Sequence, residues 1–104
     1  MSSSNSSLDI TGKISHNVYF DGKVQSLGIE TEKGAATVGV MKKGTYVFNT
    51  TSLETMVIIS GNMSTKVSDG DWLTHKKGDT FEIAAHTSFE VMCATDVAYI
   101  CCYS

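Results

Sequence analysis

A chain of 104 residues with a formal net charge of -3 is expected to form one domain around one modest core, and it has no basic surplus to suit a nucleic-acid polyanion. Its 8 cations are all lysines, which removes the guanidinium fork that grips phosphate with two hydrogen bonds. No apolar run approaches the ~18 residues of a membrane span. Cys93, Cys101 and Cys102 show neither C-x-x-C spacing nor a nearby histidine pair, which argues against a zinc site or a disulfide framework.

Residues 1 to about 15 are polar and serine-rich, with only Leu8, Ile10 and Ile14 to bury, and read as a flexible tail or a loosely attached extra strand. The opening Met1-Ser-Ser-Ser-Asn-Ser-Ser7 has no basic end and no apolar stretch, unlike a secretion signal, so a cytoplasmic location is expected. Residues 16–104 are expected to form the single folded domain. From Val18 onward, short runs of Val, Ile, Thr and aromatic residues are cut by glycine turns, with no helical periodicity beyond one turn. Strands are predicted at 23–30, 35–41, 45–49, 54–60, 63–67, 71–75, 80–84, 88–93 and 97–103. The run 54–60 is apolar on both faces and predicts a central strand covered on each side. About nine strands at this spacing predict an all-β, closed or nearly closed antiparallel sandwich or barrel.

The spacing from Gly44 through Glu54-x6-Gly61, followed by Gly78-Asp79-x4-Ala84, resembles the two motifs of the cupin superfamily, a conical antiparallel jelly-roll β-barrel. In the general cupin pattern the metal is held by His-x-His ahead of a glutamate and by a later histidine. Laid on this chain, that pattern falls on Phe48, Thr50, Glu54 and Phe89. Two phenyl rings, a hydroxyl and one carboxylate do not supply the donor set of a divalent metal, so no metal cofactor is expected. The same four positions suit a flat, sugar-bearing ligand. Phe48 and Phe89 offer ring faces for a base, Glu54 accepts hydrogen bonds, and Met56 and Tyr99 extend the wall by strand alternation. Glu54, inward on an otherwise apolar strand, carries the strongest functional signal, because a buried carboxylate without a partner is costly. His86, in the loop Ala85-His86-Thr87, is the candidate to touch base or phosphate, while His16 and His75 read as surface residues.

A closer resemblance rests on Asp21-Gly-Lys-Val24, Thr37-Val-Gly-Val-Met41, Gly44-x-Tyr-x-Phe-x-Thr50, Glu54-x-Met-x-Ile-Ile-Ser-Gly61 and the ending Tyr99-Ile-Cys-x-Tyr103. These blocks are similar to those of the pyrimidine/purine nucleoside phosphorylases, over roughly residues 17–103. The resemblance implies phosphorolysis of purine and pyrimidine ribonucleosides to free base and ribose 1-phosphate, with inorganic phosphate as co-substrate, in a cytoplasmic homodimer. It also implies basic residues just before Thr37 and near the C-terminal tyrosines, where this chain has Gly34-Ala35-Ala36 and Cys102. Those neutral positions favour, as an alternative, a cupin that binds a nucleoside or sugar without turnover. A metal-dependent cupin oxygenase or isomerase is argued against by the absent His-x-His.

Overall fold

The computed structural model describes residues 14–104. Among these, ten strands pair antiparallel throughout: β1 (Ser15–Tyr19), β2 (Val24–Thr31), β3 (Gly34–Met41), β4 (Gly44–Asn49), β5 (Glu54–Ser60), β6 (Met63–Val67), β7 (Leu73–His75), β8 (Thr80–Ile83), β9 (Ser88–Cys93) and β10 (Val97–Tyr103). They form a six-stranded sheet in the order β1-β2-β3-β10-β5-β8 and a four-stranded sheet in the order β4-β9-β6-β7. The two sheets face each other as a sandwich, and no strand pairing joins one to the other. The all-β antiparallel expectation therefore holds, with the closure made by side chains.

Alternation along each strand decides which residues meet between the sheets. From the six-stranded sheet come Val24, Met41, Met56, Ile58, Val97, Tyr99 and Cys101, and from the four-stranded sheet Tyr46, Met63, Phe89, Val91 and Cys93, all buried. At one lateral edge, His75 of β7 stacks on Phe81 of β8, with ring centroids 3.6 Å apart and planes within 12°. The His75 Nε2 is also 2.9 Å from the hydroxyl of buried Thr65. His75 is thus a core residue that ties the sheets together, not the surface residue expected from its turn-rich neighbourhood.

Two further expectations change. Strand β1 is a tenth strand beside the nine predicted; its sandwich-facing residues Ser15, Asn17 and Tyr19 are polar, so apolar alternation does not mark it. The expectation for residues 1–13 lies outside the described residues. Strand β5 lies between β10 and β8, one place in from the sheet edge. On its outward face Val57 is half-buried and Ile59 is exposed, so nothing in the described chain covers that side.

The uncovered face extends well beyond β5. Leu27, Val38, Ile100 and Val57 are successive cross-strand partners on β2, β3, β10 and β5. They form an apolar ladder across the outside of the larger sheet, flanked by exposed Val18, Ile29, Val40 and Ile59. The outer face of the smaller sheet is mixed: Glu90 stands opposite Lys66 and Ser64 is bonded to Thr74, beside exposed Val47 and Met92.

Candidate active site

Between the sheets lies a cavity of about 230 Å³. The larger sheet lines it with Val24, Ser26, Met41, Glu54, Met56, Tyr99, Cys101 and Tyr103, and β1 adds Tyr19. The smaller sheet contributes Phe48, Asn49 and Phe89. The wall is mainly apolar and aromatic, with polar atoms gathered around the start of β5 and the end of β10.

Glu54 opens β5 directly beside Tyr103, its cross-strand partner. Its carboxylate is half-buried, and the Cys101 thiol donates to Oε1 at 3.5 Å. Burial raises the Glu54 pKa above its ordinary 4.5, and the thiol contact opposes that rise. Burial, followed by repulsion from Glu54, pushes Cys101 up to about 12, so the thiol keeps its proton at neutral pH and remains a donor. A thiol is a weak donor, however, and it leaves most of the acceptor capacity of the carboxylate open to the cavity. The hydroxyl of Tyr103 lies 3.1 Å from that of Thr37, and burial raises the Tyr103 pKa, as it does for Tyr99. Both phenols therefore stay neutral, with their hydroxyls over β3, at Gly39 and at Thr37.

Tyr99 occupies its place because of a missing side chain. Gly39 on β3 is its cross-strand partner, and a Cβ built on Gly39 would overlap the Tyr99 ring. This explains a glycine inside the apolar Thr37-Val-Gly-Val40 strand: it is the seat of an inward tyrosine.

The expected site residues separate into two groups. Phe48, Glu54, Met56, Phe89 and Tyr99 all line the cavity. Phe89 is 3% exposed and packs on Phe48 at a centroid separation of 5.7 Å, so its ring serves mainly as core, while the half-buried Phe48 presents the more open face. Thr50 and His86 are not among the lining residues. The Thr50 hydroxyl donates to the Ala84 carbonyl at 2.6 Å and accepts the Thr87 amide at 2.9 Å. It pins the loop that carries His86, and its oxygen is already engaged. His86 itself is exposed, with a left-handed φ of 56°.

Cys101 and Tyr103 also line the cavity, with no site role assigned to them from the sequence; they stand two and four residues after Tyr99 and share its face by strict alternation. Ser26, Asn49 and Tyr19 carried no comparable signal.

Neither lysine nor histidine is among the described residues lining the cavity. Lys33 is exposed at the β2–β3 hairpin tip, and Lys42 is paired with Asp96 at 3.0 Å on the surface. Ala36 and Cys102, at the positions where the resemblance implied cations, are cross-strand partners on the outward face of the sheet. The cupin metal positions fit a metal no better in three dimensions than in sequence. Phe48 and Phe89 have no donor atoms, the Thr50 oxygen is committed to the loop, and Glu54 alone remains. Among the described residues no group of three or more His, Cys, Asp or Glu gathers in a metal-binding arrangement.

With this geometry in place, the chain compares closely with known proteins. A family model described as pyrimidine/purine nucleoside phosphorylase matches residues 14–103. A pyrimidine/purine nucleoside phosphorylase of Vibrio cholerae serotype O1 is 44% identical over 89 residues, which span 85% of this chain and 94% of the relative. Among solved structures, a protein of unknown function from Vibrio parahaemolyticus superposes with a TM-score of 0.82 at 36% identity, covering 86% of this chain and 96% of that one. An RmlC-like cupin from Shewanella frigidimarina, at 19% identity and a TM-score of 0.66 over 86% of this chain and 80% of its own, shares the cupin fold.

Proposed function

The chain belongs to the pyrimidine/purine nucleoside phosphorylase family, and we propose that its cavity carries out the phosphorolysis of purine and pyrimidine ribonucleosides to free base and ribose 1-phosphate. The observation that carries this reading is Glu54: a half-buried carboxylate with a weak thiol partner, set in an aromatic cavity that the neutral Tyr99 and Tyr103 also line.

In the reaction a phosphate oxygen forms a bond to the anomeric carbon as the bond from that carbon to the base nitrogen breaks. The bonding pair leaves with the base, which takes up a proton, and positive charge builds on the sugar ring in between. A preorganised carboxylate close to the ring opposes that charge without reorganising. Glu54 fills this role and accepts hydrogen bonds from ribose hydroxyls. Tyr99 and Tyr103, kept protonated by burial, donate to sugar or base oxygens. Phe48 gives the base a ring face, and Met56 and Phe89 close the apolar wall behind it. Phosphate, without a cation in the cavity wall, is held by hydroxyls and backbone N–H groups toward the mouth. His86 serves it from the loop pinned by Thr50.

The reaction is metal-independent on this reading, a pentosyl transfer to inorganic phosphate with no other cofactor. Support comes from the donor chemistry of the four cupin positions. The working unit is a cytoplasmic homodimer, supported by the apolar ladder on the outside of the larger sheet and by three unpaired thiols, Cys93, Cys101 and Cys102. An uncovered sheet face of this kind suits an isologous contact between two copies.

The test is to incubate the protein with uridine or inosine and phosphate, with and without a chelator, and to assay free base and ribose 1-phosphate. Equal release of both, unaffected by the chelator, is expected. Loss of turnover on chelation with recovery on adding a divalent metal would overturn metal independence. Absence of base release from every nucleoside would overturn phosphorolysis itself.

A further inference from the structure

We infer that Tyr19, at the end of β1, and the Phe20–Phe48 pair form an aromatic clamp at the mouth of the cavity and grip the nucleoside base between them. The inference rests on the nucleoside reading of the cavity and adds the residues that hold the base.

The first observation is where the cavity opens. Nearly all of its lining residues are buried or half-buried; Tyr19, 49% exposed, and Asn49 are the exposed ones, so the mouth lies between them. Phe20 follows Tyr19 directly and remains 43% exposed. It spans the gap between edge strands β1 and β4, with its ring centroid 5.0 Å from that of Tyr46 and 5.4 Å from that of Phe48, edge-on to the latter at 82°. Tyr19 and Phe48 therefore line the cavity, and Phe20 packs edge-on against Phe48 next to them.

The second observation is the backbone that puts them there. Phe20, Asp21 and Gly22 have φ values of 51°, 56° and 89°, three left-handed residues in succession. Glycine accepts this conformation, but a bulky aromatic residue does so at a cost. The loop between the paired Tyr19 and Val24 has four residues, and its first left-handed position carries a phenylalanine where glycine or asparagine would be less strained. The turn is held by Lys23 N–H donating to the Phe20 carbonyl at 3.1 Å and by the Gln25 side-chain amide donating to the Gly22 carbonyl at 3.0 Å. Strain retained around a half-exposed ring points to a use for that ring.

The third observation is size. At about 230 Å³ the cavity is smaller than the ~300–1,000 Å³ usual for ligand pockets. With the sugar seated at Glu54, the base projects to the mouth, between Tyr19 and the Phe20–Phe48 pair. Stacking reads the flat face of a base and ignores its edge, so one clamp serves purines and pyrimidines alike.

Steady-state kinetics on Phe20→Ala, Phe20→Leu, Phe20→Tyr and Tyr19→Leu, with uridine and guanosine at saturating phosphate, test this, alongside thermal melts of each variant. Phe20→Ala and Tyr19→Leu are expected to raise KM about tenfold for guanosine and by less for uridine, in proportion to the stacked area. Phe20→Leu, which keeps the packing on Tyr46 and Phe48, should melt close to the parent yet retain the raised KM, while Phe20→Tyr should restore it. If Phe20→Leu restores both melting temperature and KM, the ring is packing alone and the inference fails. It fails equally if folded variants show no change in KM while the parent protein turns over both nucleosides. A parent that releases no base would instead defeat the phosphorolysis reading.

Discussion

The Glu54 carboxylate faces the Cys101 thiol at 3.5 Å across neighbouring strands β5 and β10. This contact leaves the carboxylate under-solvated and under-bonded, ready to gain hydrogen bonds from a ligand. Burial raises the Glu54 pKa above 4.5, which fixes two pH effects with known sign. A carboxyl whose folded pKa is raised stabilises the fold fully below the unfolded value and loses that contribution as pH rises through the folded value. Catalysis by the ionised form runs the opposite way and falls on acidification through the same raised pKa. Glu54→Gln is therefore expected to lower kcat/KM by roughly 100-fold or more, to leave the fold intact, and to flatten the dependence of melting temperature on pH above 4.5. Near-normal rates in the glutamine variant would remove Glu54 from the mechanism.

Much of this was legible in the sequence because the signals are local. The bounds of β5, β6, β9 and β10 are those predicted, since each run of alternating or apolar residues is cut by glycine or small polar residues such as Gly61-Asn62. Glu54, Met56 and Tyr99 fall inside by alternation alone. What was not legible depends on partners distant in sequence. The burial of His75 requires the Phe81 ring on the opposing sheet. The mouth position of Tyr19 requires a turn strained in a way its sequence does not advertise. Thr50 looked like a pocket residue because it falls on a cupin metal position, but the Ala84–Thr87 loop claims its hydroxyl.

His75 gives a second pH effect, of opposite sense. Burial lowers its pKa from 6.5, against a smaller upward pull from Asp79. A base with a depressed folded pKa contributes stability above its unfolded value and loses it as pH falls through the folded one. Acidification from about pH 7 to about pH 5 is therefore expected to remove the His75 contribution to the melting temperature of the parent protein, against the opposite effect of Glu54. His75→Phe, which keeps the stack on Phe81, should lack that part of the slope. At neutral pH it should be less stable by about 1 kcal/mol, because the Thr65 hydroxyl loses its partner. Thermal melts over that range decide the matter; identical slopes in the two proteins would show that His75 does not titrate with unfolding.

The seat of Tyr99 on Gly39 predicts a coupling between the two positions. Gly39→Ala places a methyl group into the Tyr99 ring and is expected to cost about 1–3 kcal/mol, as overpacking does. It should also reduce turnover by displacing the Tyr99 ring within the cavity. Tyr99→Leu relieves the overlap, so the double variant should be more stable than the sum of the single effects. A double-mutant cycle in denaturant measures this. Strict additivity would mean that the strand moves aside and that the glycine is not what positions the tyrosine.

The ladder Leu27–Val38–Ile100–Val57 places an apolar stripe across four strands of the larger sheet, with Val38 38% exposed at an inner rung. A single charge there costs an isolated chain little, since the position still reaches water. In an isologous dimer the two-fold axis doubles the insult, because each copy brings the same charge to the contact. Val38→Asp is therefore expected to convert the protein from two chains to one in sedimentation, with far-UV circular dichroism unchanged. The corresponding change on the outer face of the smaller sheet, Thr45→Asp, should leave the assembly as it is. Sedimentation of the unaltered protein as a single chain would show instead that the stripe is left to water. The half-buried Val57 and Ile100 and the exposed Ile59 would then need another cover.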